Sequence, residues 1–347
     1  MTKIMRAARL HAIGNGLSVD SIEIPKIGAE DVLVDVRGAG ICHSDIHYCN
    51  GVSPVSNFPI TLGHEIAGVV AERGEKAEGV ERGERVLVHY VISCGTCAFC
   101  QTDREHYCQK YQMIGKTVNG GMAEYLAAPA RNLLKLGDKI PFDQAAILGC
   151  AVSTAFHSLK RGRLAEGDTI VICGIGGLGA HAVQLASRVF GAERVIAIDI
   201  SEAKLKVASM MGASDVINAS SIDPAERIKE ITGGKLADVV VDYVAQRKSI
   251  ENAIRSIRMG GRVVLVGVSS DEIQLSPYRT IIGKEMEMIG SDDHTKSELR
   301  QLIQLVQSGK LDLSRSVTHK VQLEDVNRGL QIVEGGIGNP IRVVITK

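Results

Sequence analysis

Four cysteines, Cys94, Cys97, Cys100 and Cys108, fall within fifteen residues, close enough for one loop to wrap four thiolates around a tetrahedral ion. A closed site of four sulfurs leaves no coordination position open, so its expected work is structural: it pins a loop. A second set is dispersed: Cys42 in GICHSDIH, His64 in GHE and Cys150 in LGCAVSTAFH. Two thiolates and one imidazole form a known ligand set of catalytic zinc, with a fourth position left for water or substrate. Spacing alone equally allows buried cysteines and a satisfied core histidine.

A third constellation is a glycine pattern. Gly174, Gly176 and Gly179 form G-x-G-x-x-G directly after a predicted strand, Thr169–Cys173, and at the mouth of a predicted helix, 178–190. The first glycine permits a tight turn, the second lets a pyrophosphate approach the backbone, and the third lets the helix pack on the strand. Gly177 and Leu178 open that helix, whose N-terminus should face phosphate. Asp199 follows twenty residues after Gly179, at the end of the next predicted strand. Its carboxylate suits the two ribose hydroxyls of NAD and would repel a 2′-phosphate, and neither Ile200 nor Ser201 supplies the arginine expected beside NADP.

The elements that must position these residues change texture along the chain. The first 150 residues carry short β-like runs, such as 32–36 and 85–89, between glycine-bearing turns. From Thr169 onward, strands at Thr169–Cys173, 194–198, 238–242, 262–266 and Glu287–Gly290 alternate with helices such as 203–211. That alternation predicts a doubly wound parallel sheet, so the fold class is α/β with a second, mainly β domain. Beyond Ser291, helical patterns at 298–307 and 325–333 precede a last strand at 341–345.

Composition narrows the partners. Lys plus Arg equals Asp plus Glu at 40 each in 347 residues, so no basic excess exists to hold nucleic acid or an anionic membrane. Neither a signal-peptide pattern nor an apolar run of membrane-spanning length is evident, and eight cysteines are too sparse for a disulfide scaffold. The expectation is a cytoplasmic protein acting on a small molecule.

The strings GICHSDIH, TLGHEIAG, CGTCAFC with Cys108, GCAVSTAFH and CGIGGLG, in this order, resemble the medium-chain zinc alcohol dehydrogenases across essentially the whole chain. The set is particularly similar to tetrameric NAD-dependent members from prokaryotes and archaea. The resemblance implies a GroES-like catalytic domain formed by 1–151 and 292–347, with a Rossmann domain, 152–291, inserted in it. It also implies two zinc ions per chain, NAD as cofactor and reversible oxidation of primary or secondary alcohols.

Residue by residue, the resemblance assigns Cys42, His64 and Cys150 to the catalytic zinc, with Glu65 as an acidic neighbour that can approach the metal. Asp45 matches a carboxylate orienting the His64 imidazole. Ser44 and His47 match a proton relay to solvent. Lys204 matches a lysine beside the adenosine ribose, Arg342 an arginine reaching pyrophosphate, and Val266 and Val268 backbone contacts to the nicotinamide amide. His43 stands where many members carry an arginine against pyrophosphate, and Tyr90 and Met113 match pocket-lining positions. A polyol, amino-alcohol or sugar dehydrogenase on the same scaffold is the alternative; Cys150, where such relatives often carry glutamate, favours the alcohol branch. Relatives pair through an outer strand, here Glu287–Gly290, and a homotetramer is the expected assembly.

Overall fold

The computed structural model describes residues 3–347. They divide into two compact units, one built from the chain up to Ser153 together with His294–Lys347, the other from Thr154–Asp293. The second boundary leaves Ser291 and its two followers with the inserted unit and starts the returning segment at His294.

The inserted unit holds a six-stranded sheet whose neighbours are all parallel: Asp215–Asn218, Arg194–Asp199, Thr169–Cys173, Ala237–Asp242, Ile257–Leu265 and Glu287–Gly290, in that spatial order. Numbered along this unit, the order is 3-2-1-4-5-6, the doubly wound arrangement of dinucleotide-binding sheets. Helices Gly177–Arg188, Glu202–Met211, Pro224–Ile231 and Arg247–Ser256 connect the strands. Ile170, Val171 and Ile172 are all fully buried, the continuous apolar run required of a strand covered on both faces. The four-residue strand Asp215–Asn218 has too little alternation to register in the sequence, and it forms as the edge partner of Arg194–Asp199. The strand expected to run to Val266 ends at Leu265, because the Val266 and Gly267 amides both turn onto the Asp242 carbonyl, at 2.9 and 3.2 Å.

The other unit is mainly β. Its largest sheet is organised around the long strand Asp31–Ile41, which pairs antiparallel with Glu65–Arg73, Tyr125–Pro129 and Arg342–Thr346. Val32, Val34, Ile66, Val86, Val88 and Val343, all fully buried, belong to its core. The register sets Gly40 opposite Glu65 and Ile41 opposite Val343. Three sequence-distant positions, Cys42, Glu65 and Arg342, therefore meet at one end of one sheet.

Candidate functional site

The end of that sheet gathers the dispersed donors. Cys42 follows the long strand and caps the helix His43–Cys49, while His64 immediately precedes the strand Glu65–Arg73. Cys150 lies on a π-helical turn, Leu148–Val152, between the helices Phe142–Ile147 and Ser153–Arg161. Such turns re-aim a side chain without ending the helix and recur at functional sites. Ligand atoms of Cys42, His64, Glu65 and Cys150 all lie within 4.8 Å of one another, and all four residues are buried.

In the buried His64 ring Nε2 has no hydrogen-bond partner and Nδ1 faces only Asp45, beyond hydrogen-bond distance, an arrangement that costs stability unless something else binds at Nε2. Two sulfurs and one such imidazole, converging within 4.8 Å, fit zinc by donor type and number. The Cys42 thiol is drawn well below its ordinary range by the hydrogen bond from Cys150 and by His64, against burial. The same contact pushes Cys150 upward.

Asp45 contacts two of the candidate donors at once. One carboxylate oxygen accepts the Cys42 backbone N–H at 2.8 Å, and the other faces His64 Nδ1 at 3.6 Å. Burial favours neutral His64, but Asp45 and Cys42 together outweigh it and hold the imidazole pKa well above the usual value. With Nδ1 turned to Asp45, Nε2 is the nitrogen left for a metal.

Glu65 is less available than its sequence position implies. One oxygen accepts the Ala151 N–H at 3.1 Å, inside the Cys150 turn, and the other pairs with Arg342. Burial pushes the Glu65 carboxyl up to about 7 against the pull of Arg342. Arg342 differs correspondingly from the expected pyrophosphate clamp: it is buried, 4% exposed, with its guanidinium committed to Glu65. The physical reason is that an unneutralised carboxylate at this depth would cost several kcal/mol.

Ser44 and His47 sit three positions apart on the short helix that Cys42 caps, hence on one face, while Asp45 points inward. Ser44 Oγ lies 3.6 Å from Cys42 Sγ. His47 is half-buried with its ring 5.0 Å from that of exposed His43; partial burial first, and the neighbouring imidazole second, hold its pKa below the ordinary value. Tyr90 is buried and stands edge-on to His64, centroids 5.3 Å apart. Met113 is buried and meets the Tyr48 hydroxyl at 3.6 Å. Tyr48, itself 6.4 Å from the His64 ring, and His294, 5.0 Å from Tyr90, are neighbours that sequence reasoning missed. Tyr48 stood within reach of the GICHSDIH motif; nothing local marks His294.

The clustered cysteines form the second candidate metal centre. Their four sulfurs lie within 4.8 Å, with Cys97 to Cys100 at 3.4 Å and Cys94 to Cys100 at 3.8 Å. Zinc–sulfur bonds of about 2.3 Å set tetrahedral sulfurs roughly 3.8 Å apart, so the cage has the right size, and no disulfide joins any cysteine among the described residues. The Thr96 and Cys97 amides point at Cys94 Sγ, and the Thr96 amide and hydroxyl lead in bringing that thiol down to about 5.

In the inserted unit, Gly174 adopts φ +88°, and a Cβ on Gly179 would lie 1.9 Å from the Gly174 carbonyl oxygen. Around Gly176 a Cβ would meet nothing within 4 Å, leaving open backbone before the helix Gly177–Arg188, which begins with Gly177 and Leu178 and has no side-chain cap. Such a terminus presents unsatisfied N–H groups to an anion, and the cradle fits a dinucleotide pyrophosphate. Asp199 has a structural duty besides: it accepts the Ile175 N–H of the glycine turn at 2.7 Å and that of Ser201 at 2.9 Å. Lone pairs remain on both oxygens for further donors. Lys204 lies in the first turn of Glu202–Met211; Val266 is half-buried and Val268 exposed beyond their strand.

Comparison with known proteins bears on both units. The alcohol dehydrogenase GroES-like domain model matches residues 28–138, and the zinc-binding dehydrogenase model matches 177–308. An alcohol dehydrogenase of Geobacillus stearothermophilus is 35% identical, covering 93% of this chain and 94% of its own. An NAD-dependent alcohol dehydrogenase of Sulfurisphaera tokodaii is 34% identical, covering 95% and 96%. The crystal structure of the alcohol dehydrogenase from Aeropyrum pernix superposes with a TM-score of 0.90 at 32% identity, covering 99% of this chain and 100% of that one. Two matching domain models and relatives about one-third identical over more than nine-tenths of the chain place this chain in the medium-chain, zinc-binding alcohol dehydrogenase family.

Proposed function

We propose that the chain catalyses reversible oxidation of primary or secondary alcohols to aldehydes or ketones, with hydride passing to NAD. The observation that carries this reading is the buried convergence of Cys42, His64 and Cys150, with Glu65, within 4.8 Å. Bound there, zinc supplies a Lewis acid that makes a substrate hydroxyl easier to deprotonate.

The chain's own residues do the rest. Cys42, His64 and Cys150 hold the ion, and Asp45 fixes the tautomer and tilt of His64. Ser44, beside Cys42, takes the substrate proton toward His47, which returns it to solvent. A depressed pKa keeps His47 neutral, and able to accept that proton, at neutral pH. Tyr90 and Met113 present an apolar wall that favours aliphatic or aromatic alcohols over sugars. In the inserted unit, Gly174, Gly176, Gly177, Leu178 and Gly179 receive the pyrophosphate, while Asp199 and Lys204 take the adenosine ribose. Val266 and Val268 offer backbone groups to the nicotinamide amide, and His43 takes the position of a phosphate-facing residue.

The working assembly is a homotetramer, a reading supported by the open edge at Glu287–Gly290 and by exposed Met259, Tyr278 and Ile282 in the same unit. Eight reduced cysteines suit a cytoplasmic setting. A panel of butanol, benzyl alcohol, sorbitol and threonine with NAD tests the substrate class: the first two should be the better substrates, and preference for sorbitol or threonine overturns the assignment.

A further inference from the structure

Ser153 and His294 have no part in the chemistry above, yet both are fully buried against the segment that carries Cys150. Ser153 Oγ donates to the Cys150 carbonyl at 3.1 Å, and the same oxygen lies 3.1 Å from His294 Nδ1. A hydroxyl has one proton. With that proton on the Cys150 carbonyl, the oxygen accepts from His294, which fixes the Nδ1–H tautomer.

The same carbonyl accepts the Ser153 backbone N–H that closes the π-helical turn, so the hydroxyl adds a second, side-chain tie at the residue that carries the thiol. The His294 ring is held in turn. It packs edge-on to Tyr90 at 5.0 Å, and Tyr90 packs edge-on to the ligand His64. His89 packs against it with tilted rings, centroids 5.1 Å apart, and hydrogen-bonds the His294 backbone; burial, opposed by that bond, pushes the His89 imidazole down to about 3, so His89 stays neutral. Immediately after His294, Thr295 caps the twelve-residue helix Lys296–Gln307 with a reciprocal capping box, so the histidine projects from a rigid mount.

We propose that His294 is a positioning residue for the third zinc ligand: through Ser153 it fixes the backbone of the π-helical turn and so the direction in which Cys150 aims its sulfur. The inference rests on the zinc reading of Cys42, His64 and Cys150. It concerns geometry and not titration. The hydrogen-bond network assigns Ser153 and His294 to a single link, so breaking either end should have the same consequence.

The test follows zinc release from the holoenzyme to an excess of 1,10-phenanthroline, together with the visible spectrum of cobalt(II) placed in the catalytic site. His294→Ala and Ser153→Ala should each speed release of one ion by roughly 10- to 100-fold, as losses of supporting hydrogen bonds do at metal sites. The double variant should be no faster than the quicker single, and the second ion should leave at the wild-type rate. His294→Asn, which can present an N–H near the Nδ1 position, should restore slow release and the wild-type cobalt spectrum. Wild-type release rates in both alanine variants, multiplicative effects in the double variant, or an asparagine variant no better than alanine would each overturn the inference. Should His294→Ala not fold, Ser153→Ala reads the same link alone. A wild-type enzyme that yields only one ion contradicts the underlying zinc reading instead.

Discussion

The two metal-binding clusters are built on opposite plans. Cys94, Cys97, Cys100 and Cys108 are contiguous, and the three outer cysteines are only half-buried. Their support is local, from amides of the same loop such as Thr96 and Cys97. Cys42, His64 and Cys150 are buried, come from three separate elements, and are held by contacts that cross between those elements: Asp45 reaches His64, Glu65 reaches the Ala151 amide, and Arg342 reaches Glu65. A contiguous cage can form as one loop closes; a dispersed one exists only when the sheet register and the π-helical turn are already correct. The first plan suits a staple, and the second suits a site whose remaining position must face substrate.

The comparison breaks most visibly at the ligands. Cys42→Ala or His64→Ala should reduce alcohol turnover to background while NAD binding, measured by fluorescence titration, persists; retained turnover in either variant would erase the distinction between the clusters. Next in size is the staple. Cys97→Ser should cost more than about 4 kcal/mol, the scale of a lost metal site, or on the order of 10 °C in thermal midpoint. Turnover per folded molecule should persist below that temperature, and calorimetry beside a rate assay separates the two effects.

Asp45→Asn should weaken catalytic-site zinc roughly 10- to 100-fold and leave the four-cysteine ion in place, because the amide removes the charge facing His64; competition with a zinc indicator reads both. The smallest effect concerns His47. Relay to solvent needs its neutral form, which exists above its pKa, and burial places that pKa below the ordinary histidine value. Alcohol oxidation should therefore rise with pH through an acidic limb below that value and level off by neutrality. His47→Gln should remove the limb and slow oxidation by about tenfold or less, under the range of directly acting acid–base groups; an unchanged profile would take His47 out of the relay.

What could be read from the sequence follows the same division. The four-cysteine loop and the glycine cradle were legible because each is complete within a few turns of chain, and their spacing carries the geometry. The Rossmann strands were legible as apolar runs, apart from Asp215–Asn218, whose two apolar residues between polar ends are too short a run to carry the signal. The dispersed cluster was ambiguous on chemistry and became an expectation only through family resemblance, since strand register brings its members together and local pattern does not encode register. The resemblance reads Arg342 as an arginine reaching pyrophosphate; its pairing with Glu65 follows from Val343 lying opposite Ile41 while Glu65 lies opposite Gly40. Ser153 and His294 were beyond reach, separated by 141 positions and joined by one hydrogen bond.

The most direct test of the whole account is an anomalous difference map at the zinc absorption edge from crystals of the untreated enzyme. The account predicts two peaks per chain, one bonded to Cys42, His64 and Cys150 at about 2.0–2.3 Å and one to the four clustered cysteines at about 2.3 Å. A map with density only in the four-cysteine loop, and the dispersed side chains turned away from one another, would contradict it.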